Sequence, residues 1–176
     1  MNLNLSSTTS NLSKESAVIV LLEQATNSLV LTQRSANLRD HPGEVCFPGG
    51  RWQAGDADFW ITALRELKEE LGVDSQRVTP IQELQREKTL NGSTIHPWLA
   101  TISMLEPYTV NQREVAAVFT LPMREVRVIT NYKEVVVERY GRIVKSCQFT
   151  ASDYFIWGAT ARIMKQLCLT EWHGNL

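Results

Sequence analysis

The sequence has few cysteines, and their spacing excludes the patterns typical of a disulfide framework or a zinc site. The 176 residues include three cysteines, Cys46, Cys147 and Cys168, without a CxxC pair or histidines at metal-ligand spacing. An odd number of widely separated cysteines is typical of reduced, mostly buried thiols, so we expect a cytoplasmic protein. Cys46 stands between Val45 and Phe47 and is expected to be a packed strand residue rather than a nucleophile.

The chain also lacks an excess of charge of either sign. It carries 18 lysines and arginines against 19 aspartates and glutamates, which gives a formal net charge of −1. Sequence-independent nucleic-acid binding depends on a broad basic surface, so no nucleic-acid partner is expected. Any anionic ligand must therefore be bound by a few local groups.

Long hydrophobic runs are absent as well. No apolar segment approaches the ~20 residues that cross a bilayer as a helix, and we expect no membrane partner. Residues 1–15 are polar, lack the pattern of a secretory signal, and are predicted to form a flexible tail. Residues 16–176 are predicted to form a single domain, because this length with 43% hydrophobic residues suits one compact core. The sequence leaves open whether two copies form a homodimer.

Strand-like segments occur along most of the chain. Residues 17–34 predict a β-hairpin that turns near Asn27, and residues 135–149 predict another that turns at Gly141. Residues 45–47 predict a short strand that ends before the following proline and glycine pair. Further strands are predicted within residues 77–84, 94–105 and 114–122.

Two helices interrupt these strands. The first is predicted over about residues 57–71, with an apolar stripe at helical spacing that would dock on a core. The second is predicted over residues 153–169, with Phe155, Ala159 and Ile163 on one side. The mixed order of strands and helices predicts an α+β fold or an α-β-α sandwich with a mixed β-sheet. The stripe of the first helix is formed by Trp60, Leu64, Leu67 and Leu71.

The sequence RELKEELGV at residues 65–73 places three carboxylates close together. Glu66 and Glu70 lie one helical turn apart and repel each other, and Glu69 joins them just before Gly72, which is expected to end the helix. Negative charge is unfavourable near a helix C-terminus, so a bound cation would relieve both effects. Clustered carboxylate oxygens suit Mg²⁺ or Mn²⁺. The alternative is a charged helix face exposed to water.

A loop with two glycines precedes that helix. Gly49 and Gly50 let the backbone approach a ligand closely, and the following helix N-terminus offers free N–H groups, which favours phosphate binding. The spacing differs from a Walker P-loop and from a dinucleotide-binding motif, so ATP-driven chemistry of those classes is not expected. Upstream, Arg34, Arg39 and His41 offer positive charge or hydrogen-bond donors to an anion. The alternatives are a solvated strand-end charge for Arg34 and a turn cap for His41.

Together, the loop and the helix resemble a known motif. Residues 49–73 resemble the Nudix box, whose second half, Arg-Glu-aliphatic-x-Glu-Glu-x-Gly-aliphatic, is matched without exception by residues 65–73. The resemblance implies a Nudix fold, an α-β-α sandwich with a mixed β-sheet, and a hydrolase that uses divalent cations. It implies that Glu66, Glu69 and Glu70 bind Mg²⁺ or Mn²⁺ and that Arg65 orients them through an ion pair.

One position departs from the Nudix pattern. The family has a glutamate eight residues before the arginine, and this chain has Ala57 there. Asp56 and Asp58 flank that position, and either is a candidate for the missing carboxylate. The departure also leaves open a non-catalytic nucleotide-binding module, although such a module has no need for three mutually repelling carboxylates.

A second resemblance concerns the substrate. Residues 31–50 resemble the signature LTxRSxxLxxHxGxxxFPGG that precedes the Nudix box in coenzyme A pyrophosphatases. It implies that the substrate is coenzyme A (CoA) or a derivative, cut to 3′,5′-ADP and 4′-phosphopantetheine, and we assign substrate binding to Arg34, Arg39, His41, Gly49 and Gly50. ADP-ribose, nucleotide sugars and dinucleoside polyphosphates are the alternative substrates. The matching positions are Leu31, Thr32, Arg34, Ser35, Leu38, His41, Gly43, Phe47, Pro48, Gly49 and Gly50.

Two carboxylates are candidates for the general base. In Nudix hydrolases the base comes from the helix or from a later loop, so Glu66 and Glu114 compete for this role. Glu114 follows the polar loop of residues 107–113, which could bring it over the site. The alternative for Glu114 is a solvated charge at the start of a strand.

The remaining aromatic and charged side chains are expected to be structural. Trp98, Trp157 and Phe155 could stack on an adenine, but core packing is the preferred prediction for all three. The charged side chains of the second hairpin are expected to face solvent. They are Lys133, Glu134, Glu138, Arg139 and Arg142.

Overall fold

The computed structural model describes residues 14–139 and 141–170, which form an α+β fold. The described helices are α1 Phe59–Leu71, α2 Met123–Val126 and α3 Gly158–Gln166, and none of them has the length and apolar character needed to cross a membrane. The predicted tail falls mainly on residues outside the described part, while the first strand already begins at Glu15. The strands are β1 Glu15–Glu23, β2 Ser28–Arg34, β3 Val45–Cys46, β4 Gly49–Arg51, β5 Val78–Glu83, β6 Glu87–Lys88, β7 Thr94–Ile102, β8 Val115–Pro122, β9 Tyr132–Arg139, β10 Arg142–Phe149 and β11 Ile156–Trp157.

Among the described strands, eight form one mixed sheet. Its main path runs β3-β2-β1-β7-β5, with β4 beside β1, β6 beside β7 and β8 beside β2. Strands β1 and β7 run parallel, whereas β1 pairs with β2, and β2 with β8, in the antiparallel sense. A second sheet has the order β11-β10-β9. The mixed sheet confirms the predicted fold class.

The mixed sheet has a hydrophobic cluster on each face, because successive side chains of a strand point to opposite sides. Ala17, Ile19 and Leu21 of β1 lie in the cluster that includes α1, and Val20 and Leu22 lie in the cluster that includes α3. Helices α1 and α3 therefore cover opposite faces of the sheet, as an α-β-α sandwich requires. The fully buried contributions are Ala63, Leu67 and Leu71 from α1, and Ala161 and Met164 from α3.

Helix α1 carries the carboxylate motif, and it begins at Phe59, two residues later than predicted. Asp58 is its N-cap, and the Asp58 carboxylate accepts a hydrogen bond of 2.8 Å from the Ile61 amide. The helix ends where the sequence predicts. Gly72 adopts a φ of 65°, and its N–H donates to the Lys68 carbonyl oxygen.

Both predicted hairpins are confirmed. Strands β1 and β2 are joined through Asn27, which has a φ of 48°, and β9 and β10 are joined at Gly141, which has a φ of 69°. The segment of residues 49–51, predicted to follow a strand as a loop, instead pairs with β1 as the separate strand β4.

The prediction for the C-terminal helix is wrong at its start. Ile156 and Trp157 form β11 and pair with Phe149 and Gln148 of β10, so the helix begins only at Gly158. Phe155 precedes the helix and is 51% exposed, which also contradicts its predicted place in the core. The strand pairing is a tertiary contact that helical spacing along the chain does not reveal.

Candidate active site

Three carboxylates converge beside β4. Glu66 and Glu70 project from α1, Glu114 precedes β8, and one oxygen from each carboxylate lies within 4.8 Å of the others. Glu66 is 7% exposed and Glu70 only 2%. Like charges this close and this poorly hydrated destabilise one another unless protons or a cation compensate them.

The two glycines of β4 make room for this cluster. A Cβ atom on Gly50 would lie 2.4 Å from the Glu66 carboxylate, and one on Gly49 would lie 2.3 Å from the Ala17 carbonyl oxygen of β1. Larger residues would therefore push β4 away from either α1 or β1. Both glycines line the cavity described below, and their predicted contact with substrate stays a prediction.

Arg65 connects the cluster to the chain before α1. Its guanidinium binds both carboxylate oxygens of Asp56 at 3.0 Å and donates to Glu66 Oε1 at 2.8 Å. Asp56, rather than the N-cap Asp58, is thus the carboxylate that contacts Arg65. The hydrogen bonds from Arg65 hold the pKa of Asp56 below its ordinary value. Arg65 thus forms an ion pair with Glu66 of the motif, and its role in orienting the metal ligands stays a prediction.

The surroundings of Glu70 disfavour the charged form of its carboxylate. Burial, and after it the negative charge of Glu66, raises the pKa of Glu70 to about 8. Burial also raises the pKa of Glu66. Within the described residues, the buried Oε2 atom of Glu70 has no hydrogen-bond partner. An unpaired oxygen beside two other carboxylates fits a hard divalent cation such as Mg²⁺ or Mn²⁺.

Glu69 lies at the edge of this cluster. Its side chain is 48% exposed and contacts Arg65 at 3.3 Å, and it does not belong to the group formed by Glu66, Glu70 and Glu114. Its assignment as a metal ligand stays a prediction. Glu114 is partly buried in the cluster rather than a fully solvated charge, and its role as a base stays a prediction.

A cavity of about 400 Å³ opens from the carboxylate cluster. Of the predicted substrate-binding side chains, Arg34 and His41 line it, whereas Arg39 is exposed and lies outside the lining. The His41 ring also contacts Glu44 at 2.9 Å. The cavity is also lined by residues 89–91, 93 and 95, by Ser146 of β10 and Trp157 of β11, and by Gly158, Ala159, Thr160 and Arg162 of α3.

The second hairpin contributes a cation to this cavity. Lys133, Glu134, Glu138 and Arg142 are exposed as predicted, but Arg139 is not. Arg139 pairs with Glu44, lies 5.8 Å from the centre of the Trp157 ring and lines the cavity. Side chains alternate between the two faces of β9, so Arg139 and Glu138 point to opposite faces of the sheet. This alternation could have predicted that Arg139 does not share the exposed face of Glu138.

The aromatic and cysteine predictions have mixed outcomes. Trp98 is partly buried with its ring 5.5 Å from that of Trp60, whereas Trp157 is partly buried in the cavity wall. Cys46 also lines the cavity, and burial raises the pKa of its thiol to about 11. A thiol with so high a pKa is a poor nucleophile at neutral pH, in keeping with the predicted packing role.

Comparisons with known proteins agree with this geometry. The family model described as the NUDIX domain matches residues 13–144. The Nudix hydrolase NudL of Citrobacter koseri is 34% identical over 157 residues, which cover 89% of this chain and 82% of that protein. Its counterpart in Enterobacter sp. is 32% identical over the same coverage. The structure of DR0079 from Deinococcus radiodurans shares the fold with a TM-score of 0.59 at 15% identity, covering 87% of this chain and 82% of that one. This chain therefore belongs to the Nudix hydrolase family, whose members hydrolyse diphosphate linkages.

Proposed function

We propose that this protein is a divalent-cation-dependent pyrophosphatase that cuts the diphosphate linkage of CoA or a CoA derivative. The products are 3′,5′-ADP and 4′-phosphopantetheine. The observation that carries the proposal is the unpartnered buried oxygen of Glu70 beside Glu66 and Glu114, in a cavity that Arg34 and His41 also line.

The carboxylate cluster supplies the groups that such a reaction needs. Glu66, Glu70 and Glu114 would hold Mg²⁺ or Mn²⁺, with Glu69 as a further candidate ligand. When bound, the cation neutralises diphosphate oxygens and makes a water more acidic for attack at phosphorus. Arg65 keeps Glu66 turned toward the cluster through the 2.8 Å contact. Either Glu66 or Glu114 takes the proton of that water.

The preference for CoA rests on residues outside the cluster. CoA carries a 3′-phosphate and a long pantetheine arm, so selection for it requires contacts beyond the diphosphate. Arg34, from the segment that resembles the CoA signature, lines the cavity, and its Nε donates to the Asp40 carbonyl oxygen at 3.3 Å. Arginine is suited to bidentate contacts with phosphate. Trp157 and Arg139 offer an aromatic face and a second cation on the cavity wall.

Product analysis tests this proposal. The protein is incubated with CoA and Mg²⁺ or Mn²⁺, and in parallel with ADP-ribose, a nucleotide sugar and a dinucleoside polyphosphate. We expect 3′,5′-ADP and 4′-phosphopantetheine from CoA, with a kcat/KM at least about 10-fold above the other substrates, as one extra charged hydrogen bond would give. The Glu70→Gln protein, purified in the same way, controls for contaminating hydrolases. Faster hydrolysis of another substrate in the panel would contradict the CoA assignment.

A further inference from the structure

The loop that carries Glu114 is bound to the end of helix α1. The last carbonyl groups of a helix lack partners within the helix. Here the Glu70 carbonyl oxygen accepts a hydrogen bond from the Asn111 N–H at 2.9 Å, and the Leu71 carbonyl oxygen accepts one from the Thr109 N–H at 2.8 Å. These two hydrogen bonds therefore fix the position of the loop relative to the helix that bears two carboxylates of the cluster.

Asn111 extends this connection to the Glu114 side chain. Its Nδ2 donates to Glu114 Oε1 at 3.0 Å, and its Oδ1 accepts from the Arg113 N–H at 3.2 Å. Its carbonyl oxygen also accepts from the N–H groups of Glu114 and Val115. One residue thus contacts the backbone of α1, the backbone before β8 and the carboxylate of Glu114.

We propose that Asn111 is a positioning residue that holds the Glu114 carboxylate beside Glu66 and Glu70, so that the three bind the cation together. This inference rests on the cation-dependent hydrolysis proposed above. The carboxylate of Glu114 is repelled by that of Glu66, and without a donor it would rotate toward solvent when no cation is present. The Asn111 amide offsets that repulsion and keeps the site preorganised.

A double-mutant cycle on Mn²⁺ binding tests the proposal without any substrate. Serine is the informative replacement because its hydroxyl can still accept the Arg113 N–H but is too short to reach Glu114. We expect Asn111→Ser to weaken Mn²⁺ binding about 10-fold, the loss typical of one hydrogen bond to a charged group. Glu114→Gln should weaken it at least as much, and the double variant should bind no more weakly than Glu114→Gln alone.

The matched control is Asn131→Ser. The Asn131 amide donates to the Glu125 carbonyl oxygen at 2.9 Å, and neither residue lines the cavity. This variant should leave Mn²⁺ binding unchanged, which separates positioning from a general loss of stability. Asn111→Ala, checked for an unchanged fold by circular dichroism, should reproduce the effect of Asn111→Ser.

Two results would overturn the inference. Either Asn111→Ser leaves Mn²⁺ binding unchanged, or it weakens binding by the same factor in the Glu114→Gln protein, in which case Asn111 acts independently of Glu114. The cycle is also independent of the substrate. If the protein does not hydrolyse CoA but the Mn²⁺ affinities of the wild type and the variants follow the expected pattern, the proposed substrate is contradicted and the role of Asn111 is supported.

Discussion

The two walls of the cavity are built from different contacts. The wall formed by α1 and β4 packs buried carboxylates against backbone, with Glu66 7% and Glu70 2% exposed. A second wall, formed by β10, β11 and α3, includes Trp157 and Arg162. The first wall concentrates carboxylates, which under the proposed function would hold the cation. The second carries an aromatic side chain, which under the proposed function would contact a part of the substrate that does not react.

The second wall is held together by Arg162. Its Nε pairs with Glu87 at 2.8 Å, its Nη1 donates to Ser146 at 3.2 Å, and its Nη2 donates to the Lys88 carbonyl oxygen at 3.1 Å. These contacts join α3 to β6 and β10, and none of them involves α1. The match to the family model ends at residue 144, before Trp157 and Arg162. Because Arg162 makes these contacts without α1 or β4, we expect changes in the second wall to leave the carboxylate cluster in place.

The largest expected effect comes from breaking the carboxylate wall. Glu70→Gln keeps the size of the side chain but removes its charge, and we expect kcat with CoA to fall at least about 100-fold because a cation ligand is lost. Steady-state kinetics at saturating Mg²⁺ measures this. Glu134→Gln is the matched control, since Glu134 lies exposed on β9 and pairs with Lys145. Near-normal kcat in a folded Glu70→Gln protein would exclude Glu70 as a ligand.

A second prediction concerns the side of the cavity that carries the CoA-like signature. Arg34→Ala should lower kcat/KM for CoA by about 10- to 150-fold, the range for losing one charged hydrogen bond. If ADP-ribose is hydrolysed at all, its kcat/KM should barely change. Arg124→Ala, which alters a side chain that is 80% exposed on α2, is the control. An equal loss on both substrates would mean that Arg34 acts on the diphosphate or on the fold.

A smaller effect is expected at the second wall. Trp157→Ala should raise KM for CoA by about 2- to 12-fold with little change in kcat, because one aromatic contact with the bound substrate is lost. Ile143→Ala is the control, since Ile143 is 80% exposed on β10 and lies outside the cavity lining. A fall in kcat without a rise in KM would show that this wall also serves the reacting groups.

The same two regions differ in how well the sequence predicts them. The end of α1 at Gly72 and the grouping of Glu66 with Glu70 follow from helical spacing within a few residues, and the structure agrees. The inward position of Arg139 and the strand at Ile156–Trp157 depend on which face of β9–β10 is covered and on pairing between distant segments. Alternation along a strand defines two faces but does not say which one is buried.

The last prediction separates charge burial from catalysis, because it uses the protein without a cation. The pKa of Glu70 is raised from 4.5 to about 8 by burial, so the folded state holds a proton that the unfolded state releases between these values. Folding stability from this group is therefore greatest below pH 4.5 and is lost as the pH rises toward 8.

Glu70→Gln has no such proton, so its Tm relative to the wild type should increase from pH 5 to pH 8.5. Each kcal/mol of change in the free energy of unfolding shifts the Tm by about 2–4 °C in a domain of this size. Thermal unfolding of chelator-treated proteins measures the difference, and added Mg²⁺ should raise the Tm of the wild type but not that of the variant. A Tm difference that stays constant with pH would mean that Glu70 is ionised without penalty, and that the carboxylate wall is better hydrated than its burial implies.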